Sequence, residues 1–338
     1  MTSYSDSGVH LDAADAAVAR IKPAVVATWG NKVIGGFGGF AAGLRMPDGY
    51  TEPVLMMSTD GVGTKAEVAR QTGKVDGLGW DLVAMCIDDL VAAGGRPIAM
   101  SDYIAIGEID TELVVRIVES VAAACAAADV ALVGGEIAEH PGVMEPDAFD
   151  VAGTALGIVE ASAVIDGSRI VPGDVIIGID SPNLRSNGYS LVRRLINEHT
   201  SLDAIFPGTD RTVADVVLEP SVLYTPSVLA LIDTIDVKGL AHVTGGGLLG
   251  NLPRILPATT DAVIETGSWV VPDVFTVFSG WSGADRAERY ATWNMGIGFV
   301  AVVAPGDVIR TLETIATHAR SGSAIGVVTP GTGVVQLT

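Results

Sequence analysis

The run Asp60-Gly61-Val62-Gly63-Thr64-Lys65 follows a short apolar stretch, Val54 to Met57, that reads as a strand. Two glycines permit a sharp turn that offers backbone N–H groups to an anion, Lys65 adds a point charge, and Asp60 can hold a divalent metal. The spacing is not that of a Walker loop, which places four residues between Gly and Gly-Lys. A turn with a surface lysine is the competing reading. Asp88-Asp89 sits among Ile87, Leu90 and Val91. Adjacent carboxylates there need a counter-cation such as magnesium, or solvent if both lie on the wet side of a helix. Gly134-Gly135-Glu136 comes next, where the strand Val130 to Val133 is expected to stop. Ligands collect at strand ends in α/β sheets, which makes Glu136 a candidate and leaves His140 as an exposed loop histidine.

In the second half, His242-Val243-Thr244-Gly245-Gly246-Gly247 runs from a strand toward an expected helix N-terminus, where free N–H groups and the helix dipole suit a phosphate. A ligand-free glycine turn is the alternative. Arg185-Ser186-Asn187-Gly188-Tyr189-Ser190 opens another helix, with Ser186 or Asn187 as cap and Arg185 available to an anion. Trp293-Asn294-Met295-Gly296 precedes a strand, and Trp293 reads as core. Five histidines show no metal-ligand spacing such as H-E-x-x-H, and no Ser-His-Asp or Cys-His signature stands out.

The elements that must hold these residues alternate. Strands are expected at Val54 to Met57, Ile98 to Ile104, Val130 to Val133 and Phe149 to Val159, with helices at Leu78 to Ala93 and Thr111 to Ala128. A Pro172-Gly173 turn marks the junction. Beyond it come strands Val175 to Ile179, Gly239 to Val243, Ile297 to Val303 and Ile325 to Val328, with helices Asn187 to Asn197, Val222 to Ile232 and Val308 to Ala319. This gives an α/β (α+β) chain of two α/β domains, 54–165 and 170–338, after an N-terminal segment 1–53. That segment holds a helical run near Ala13 to Ile21 and the cluster Gly35-Gly36-Phe37-Gly38-Gly39-Phe40, either a connector or a loop that orders over a ligand.

Composition narrows the partners. The 338 residues carry 20 Lys and Arg against 40 Asp and Glu, a net charge of −20, which argues against nucleic acid or an anionic membrane as partner. Apolar runs break before about 18 residues, so no transmembrane helix is expected. Met1 to Asp6 lacks the basic and apolar regions of a signal peptide, and the expected location is cytoplasmic. Cys86 and Cys125 lie in apolar helical stretches and read as inert core thiols.

Taken in order, these segments resemble the phosphoribosylformylglycinamidine cyclo-ligase (aminoimidazole ribonucleotide synthetase) family over nearly the whole chain. The match runs from Tyr4 to Asp12 and Arg20-Ile21-Lys22 through Gly35 to Phe40, Ser58 to Lys65, Asp81 to Cys86 with Asp89-Leu90, and Val133 to Glu136. It continues through Ala138-Glu139, Pro141-Gly142, Asp150 to Gly153, Ser186 to Arg193, Ala241 to Gly247 and Asn294 to Gly296. The resemblance implies an N-terminal sheet that pairs across a homodimer into a shared barrel. It also implies ATP-dependent ring closure of formylglycinamidine ribonucleotide to aminoimidazole ribonucleotide, with Mg2+.

By the same resemblance, Lys22 lies near the nucleotide and Gly35, Gly36, Gly38 and Gly39 form a mobile loop. Asp60 and Asp89 hold the metal, and Gly61, Gly63, Thr64, Lys65 and Glu136 lie close to the phosphates. Thr244, Gly245, Gly246 and Gly247 bind a phosphate. His242, Asn187 and Lys65 are the candidates for chemistry, and Asn187 and Asn294 for polar contacts. His242 stands where related ATP-using enzymes carry an acid, which separates this reading from selenophosphate synthetases, thiamine-phosphate kinases and hydrogenase-maturation proteins. Three positions depart from the pattern: Arg185 replaces the usual His, Asp88 the usual Asn and Trp293 the usual Phe.

Overall fold

The computed structural model describes Gly8 and residues 10–338. Part of the matching stretch Tyr4 to Asp12, and Met1 to Asp6, lie outside the described residues. The described residues form two compact units: one of those up to residue 90 with 96–161 and 220–223, the other of residues 91–95, 162–219 and 224–338.

The first unit begins with α1 (Leu11–Ala27) and a small hairpin, β1 (Val33–Ile34) and β2 (Gly43–Leu44). There follow β3 (Pro53–Gly61), α2 (Lys65–Thr72), α3 (Leu78–Ala92), β4 (Arg96–Ile106), α4 (Thr111–Ala127), β5 (Ala131–Glu139) and β6 (Phe149–Glu160). The sheet order is β3-β6-β4-β5, antiparallel except for the parallel β4–β5 pair. Helices cover one face. Residues 81–88 of α3 are all buried, which is why that stretch shows no polar stripe. Gly79 lets α3 approach α4 closely, since a Cβ there would meet the Val121 nitrogen at 2.1 Å. Asp110 caps α4 by accepting from the Glu112 and Leu113 nitrogens. The other face of the sheet is left open, with Leu55, Met57 and Tyr103 exposed.

The second unit continues with β7 (Val175–Asp180), α5 (Tyr189–His199), α6 (Val213–Val217), α7 (Thr225–Thr234), β8 (Gly239–His242), α8 (Gly247–Asn251) and β9 (Thr260–Ile264). It ends with α9 (Asp273–Ser282), α10 (Arg286–Thr292), β10 (Ile297–Val303), α11 (Val308–Thr317), β11 (Gly322–Pro330) and β12 (Val335–Leu337). Its six strands run β12-β9-β11-β7-β10-β8, antiparallel except for β12–β9. Every residue of β10 is buried, as its unbroken apolar sequence requires.

Three boundaries differ from the sequence expectation for identifiable reasons. β5 does not stop at Gly134 but runs through both glycines to Glu139. The expected helix after Thr244 is a single turn, Gly247–Asn251. α5 starts at Tyr189 and not at Asn187, because Gly188, at φ +75°, occupies its N-cap; neither Ser186 nor Asn187 caps it. Among the described residues, no helix is long and apolar enough to cross a membrane.

Candidate active site

Across the first sheet, Asp60 on β3 pairs with Gly153 on β6, Gly153 with Asp102 on β4, and Asp102 with Gly135 on β5. Directly paired residues share a face, so Asp60 and Asp102 project to the same side, two strand spacings or roughly 10 Å apart. That side is the helix-covered one: a Cβ on Gly153 would meet Met100 Cε at 2.5 Å and Leu82 Cδ2 at 3.3 Å. Gly135 is glycine for a comparable reason. Its Cβ would fall 1.7 Å from Asp102 Oδ1, so the carboxyl occupies the space where a side chain would stand. The strand can therefore pass through the two glycines.

Asp60 is half-buried, and its Oδ1 accepts from the Gly61 nitrogen at 2.7 Å. Gly63, at φ +65°, completes the turn into α2, leaving Gly63 and Thr64 exposed at the helix start. Lys65 requires a correction. It is not a surface charge offered to an anion; it is fully buried and ion-paired to Asp81 on α3, with Nζ–Oδ2 at 2.7 Å. Asp81 Oδ1 also accepts from the backbone nitrogen and hydroxyl of Ser221, at 2.9 and 2.6 Å. The two adjacent aspartates of α3 divide: Asp88 is fully buried and Asp89 exposed, so the reading that puts both on the wet side does not hold. Asp89 Oδ2 accepts from Ser58 Oγ at 3.4 Å, which ties α3 to β3 two residues before Asp60.

Among the described residues, no group of three or more His, Cys, Asp or Glu could hold a metal. Asp60 and Asp89 still suit magnesium, which binds through one or two carboxylates plus substrate phosphates and keeps several waters. Cys86 donates its thiol to the Gly153 carbonyl at 3.4 Å, and burial pushes it up to about 12, an inert group.

The glycine cluster lies beside α1. Lys22 Nζ stands 5.8 Å from the Phe37 ring centroid, a cation–π distance, and Phe37 packs on Trp29. Trp29 donates its indole N–H to the Leu132 carbonyl at 2.7 Å, anchoring the end of α1 to β5. Gly36 to Gly39 border a cavity of about 270 Å³ together with α1, α4 and β5, and Asp102 and Glu136 line it. Glu136 pairs with Tyr103, one residue out of step with Asp102, and so belongs to the opposite face of the sheet from Asp60. Asp102 is the residue that sequence reading passed over. The signal was available only as a lone acid in a mostly apolar strand.

In the second unit, Arg185 is fully buried at φ +58°, a conformation uncommon outside glycine. Its Nη1 donates to His242 Nε2 at 2.7 Å and to the Gly298 carbonyl at 3.3 Å, and its guanidinium lies 4.8 Å from the Tyr224 ring centroid. Because Arg can only donate, His242 Nε2 accepts and carries no proton. Asn294 is also committed: it donates to the Asn183 carbonyl at 3.0 Å and accepts from the Gly296 nitrogen at 2.8 Å. Asn187 lies beside Gly245. The Thr244–Gly247 run is held in place by its own packing. Asn251 donates to the Gly245 and Gly247 carbonyls, and a Cβ on Gly247 would strike the Tyr290 carbonyl oxygen at 2.0 Å. A one-turn helix adds little dipole to attract phosphate.

Comparison with known proteins extends this picture. Residues 40–159 match the model described as AIR synthase related protein, N-terminal domain, and residues 171–337 the corresponding C-terminal domain. The chain is 44% identical over 332 residues to the phosphoribosylformylglycinamidine cyclo-ligase of Oceanobacillus iheyensis, covering 98% of both chains. It is 42% identical over 335 residues to that of Myxococcus xanthus, covering 98% of this chain and 97% of the relative. Among solved structures, thiamine-monophosphate kinase from Stenotrophomonas maltophilia superposes with a TM-score of 0.71 at 20% identity, covering 95% of each chain. A hydrogenase maturation protein crystallised in complex with ATP gives 0.67 at 19% identity, covering 93% of this chain and 88% of that one. These two share the fold.

Burial raises the Asp102 carboxyl to about 7, well above the ordinary carboxylate range. A carboxyl raised on folding binds its proton more tightly in the folded state, so it makes stability fall as pH rises from roughly 4 to 7. Wild type should therefore lose about 1 kcal/mol more than Asp102→Asn between pH 6 and pH 8 in urea unfolding. Equal pH slopes for the two proteins would show that Asp102 is not held in this environment.

Proposed function

This chain belongs to the phosphoribosylformylglycinamidine cyclo-ligase family, and from that premise we propose how its residues divide the work. The reaction is ATP-dependent ring closure of formylglycinamidine ribonucleotide to aminoimidazole ribonucleotide, releasing ADP and phosphate. An amide oxygen is a poor leaving group until it is phosphorylated. Transfer of the γ-phosphoryl group to that oxygen lets the amidine nitrogen attack the same carbon, and phosphate then departs with the oxygen. The protein's contribution is positioning and charge neutralisation. Two of the other activities considered from sequence, those of thiamine-phosphate kinases and hydrogenase-maturation proteins, belong to proteins of the same fold at no more than 20% identity in the superpositions given above, against 42–44% for the cyclo-ligases.

Asp60 and Asp89 are assigned to Mg2+, supported by the Ser58–Asp89 hydrogen bond that brings strand and helix together. Magnesium, when bound, supplies neutralisation of the ATP phosphates. The exposed backbone of Gly63 and Thr64 at the start of α2 offers N–H donors to the same phosphates. Lys22 and the Gly35–Gly39 stretch serve the nucleoside end, an assignment that their contact through Phe37 supports. Lys65 acts by holding the turn in place, not by touching phosphate. In the second unit, Asn187 is assigned to substrate contact, and His242 acts by orienting Arg185, which takes the usual histidine's place.

A homodimer is part of the same proposal. Leu55 and Met57 are 53% and 71% exposed on the edge strand β3, and an apolar strand edge of this kind invites pairing with another copy. Met57→Lys should shift the protein from dimer to monomer in light scattering; an unchanged mass would place the interface elsewhere.

The activity is tested with purified protein, Mg-ATP and formylglycinamidine ribonucleotide, scored for aminoimidazole ribonucleotide and ADP in equal amounts. Asp60→Asn and Asp89→Asn should each lower kcat by about 10²-fold or more. Magnesium-dependent turnover at the wild-type rate in both variants would overturn the metal assignment.

A further inference from the structure

The helices α9 and α10 border a concavity that none of the roles above uses. Thr276 and Gly280 lie four residues apart on α9, while Arg286, Arg289 and Tyr290 follow at i, i+3 and i+4 on α10, so each set shares one face of its helix. The two faces line one cavity of about 420 Å³, to which Val271 and Met295 add an apolar flank. That volume falls in the range of small-molecule sites. Every lining residue belongs to the second unit, so the cavity shares no residue with the Asp60–Asp89 site.

Its charge runs against that of the chain. Acids outnumber bases two to one overall, yet among the described residues this cavity is lined by two arginines and by no aspartate or glutamate. Arg289 is half-buried and donates from Nε to the Asp285 carbonyl at 3.2 Å, which leaves the two terminal nitrogens of its fork unused among the described residues. Arg286 donates from Nη2 to Thr266 Oγ1 and to the main-chain oxygen of Thr338, and keeps its Nε and Nη1 donors. Both charges bear on one wall. Burial pushes the Tyr290 phenol above its ordinary range, and the charge of Arg286, a hydrogen bond with Thr266 and the charge of Arg289 oppose that push. Gly280 keeps the space open: a Cβ there would meet nothing within 4 Å, so packing does not require glycine at a helical position that otherwise disfavours it.

Two guanidinium forks beside the apolar surface of Val271, Met295 and the Tyr290 ring suit a ligand with an anionic head and an apolar body. Charge selects the head. A phosphate monoester carries close to two negative charges and three acceptor oxygens, enough for both forks, whereas a carboxylate neutralises only one of them.

We propose that the cavity between α9 and α10 is a binding site for a small phosphate monoester, with Arg286 and Arg289 on the phosphate and Val271, Met295 and Tyr290 against the body. The site goes beyond the ring-closure reading and does not depend on it.

The test is calorimetric titration of the full chain at pH 8 and low salt, where surface charge is least screened. The probes are phenyl phosphate, benzoate, which puts the same body on a carboxylate, and inorganic phosphate, which has no body. Wild type should bind phenyl phosphate saturably and at least about tenfold more tightly than either of the others. Arg289→Ala should weaken phenyl phosphate at least about tenfold, as expected for lost hydrogen bonds to a charged group. Gly280→Leu fills the open space, leaves both arginines in place and favours the helix, and it should abolish the binding. No saturable binding by wild type would overturn the proposal, and that arm needs no variant to fold. Benzoate binding as tightly as phenyl phosphate would overturn the choice of phosphate, and inorganic phosphate doing so would overturn the role of the apolar flank. Phenyl phosphate binding that persists in both variants, or that Mg-ATP displaces, would place the ligand elsewhere and overturn the site.

Discussion

The first unit depends on one buried charge pair. Lys65 begins α2 immediately after the Asp60–Thr64 turn, and Asp81 lies one turn into α3, the helix that carries Asp89. With both side chains at 0% exposure, neither charge can separate from the other without leaving an ion stranded in the core. Ser221 adds two donors to the carboxylate and meets hydrogen-bonding capacity that the lysine leaves open. The pair is weak evidence for stability in itself, since two ions must be desolvated to form it. Its consequence is specificity: the turn with Asp60 and the helix with Asp89 are held in one relative position.

The second constraint is the two-sidedness of the first sheet. Its helix-covered face presents Asp60 and Asp102 in one row, with Gly153 between them and Gly135 beyond. The glycines are small because something else occupies their space, a Met100 methyl in one case and a carboxyl oxygen in the other. The opposite face exposes Leu55, Met57 and Tyr103. A strand period of two thus sets Asp60 and Asp102 among the apolar residues of the helix-covered face, while Leu55, Met57 and Tyr103 share the open face with Thr59 and Glu136.

Much of this was legible in the sequence. Strong apolar runs marked β4, β6, β7 and β10, and the alanine-rich α4 announced itself by its period. The family was legible because many weak motifs fell in the right order. Short elements escaped: β9 and β12 have five and three residues, too few for a period to emerge, and α10 has only seven. Glycines were harder to read. Gly134 and Gly135 read as a strand end, although tertiary packing made them part of β5. Gly246 and Gly247 read as a phosphate cradle, and the structure adds that their positive φ and close contacts also serve packing. Lys65 read as a surface charge because nothing near it in sequence reveals a partner sixteen residues on. Asp102 was passed over for the same reason, since its meaning comes from a cavity formed by segments far apart in the chain.

The most direct test of this account is a double-mutant cycle on the buried pair, read by urea unfolding of wild type, Lys65→Met, Asp81→Asn and the combined variant. Lys65→Met alone should cost about 3–5 kcal/mol, because it strands the Asp81 carboxylate, and adding Asp81→Asn should restore part of that loss. Losses that simply add, with the double variant less stable than either single one, would contradict the claim that this ion pair is the constraint on which the site depends.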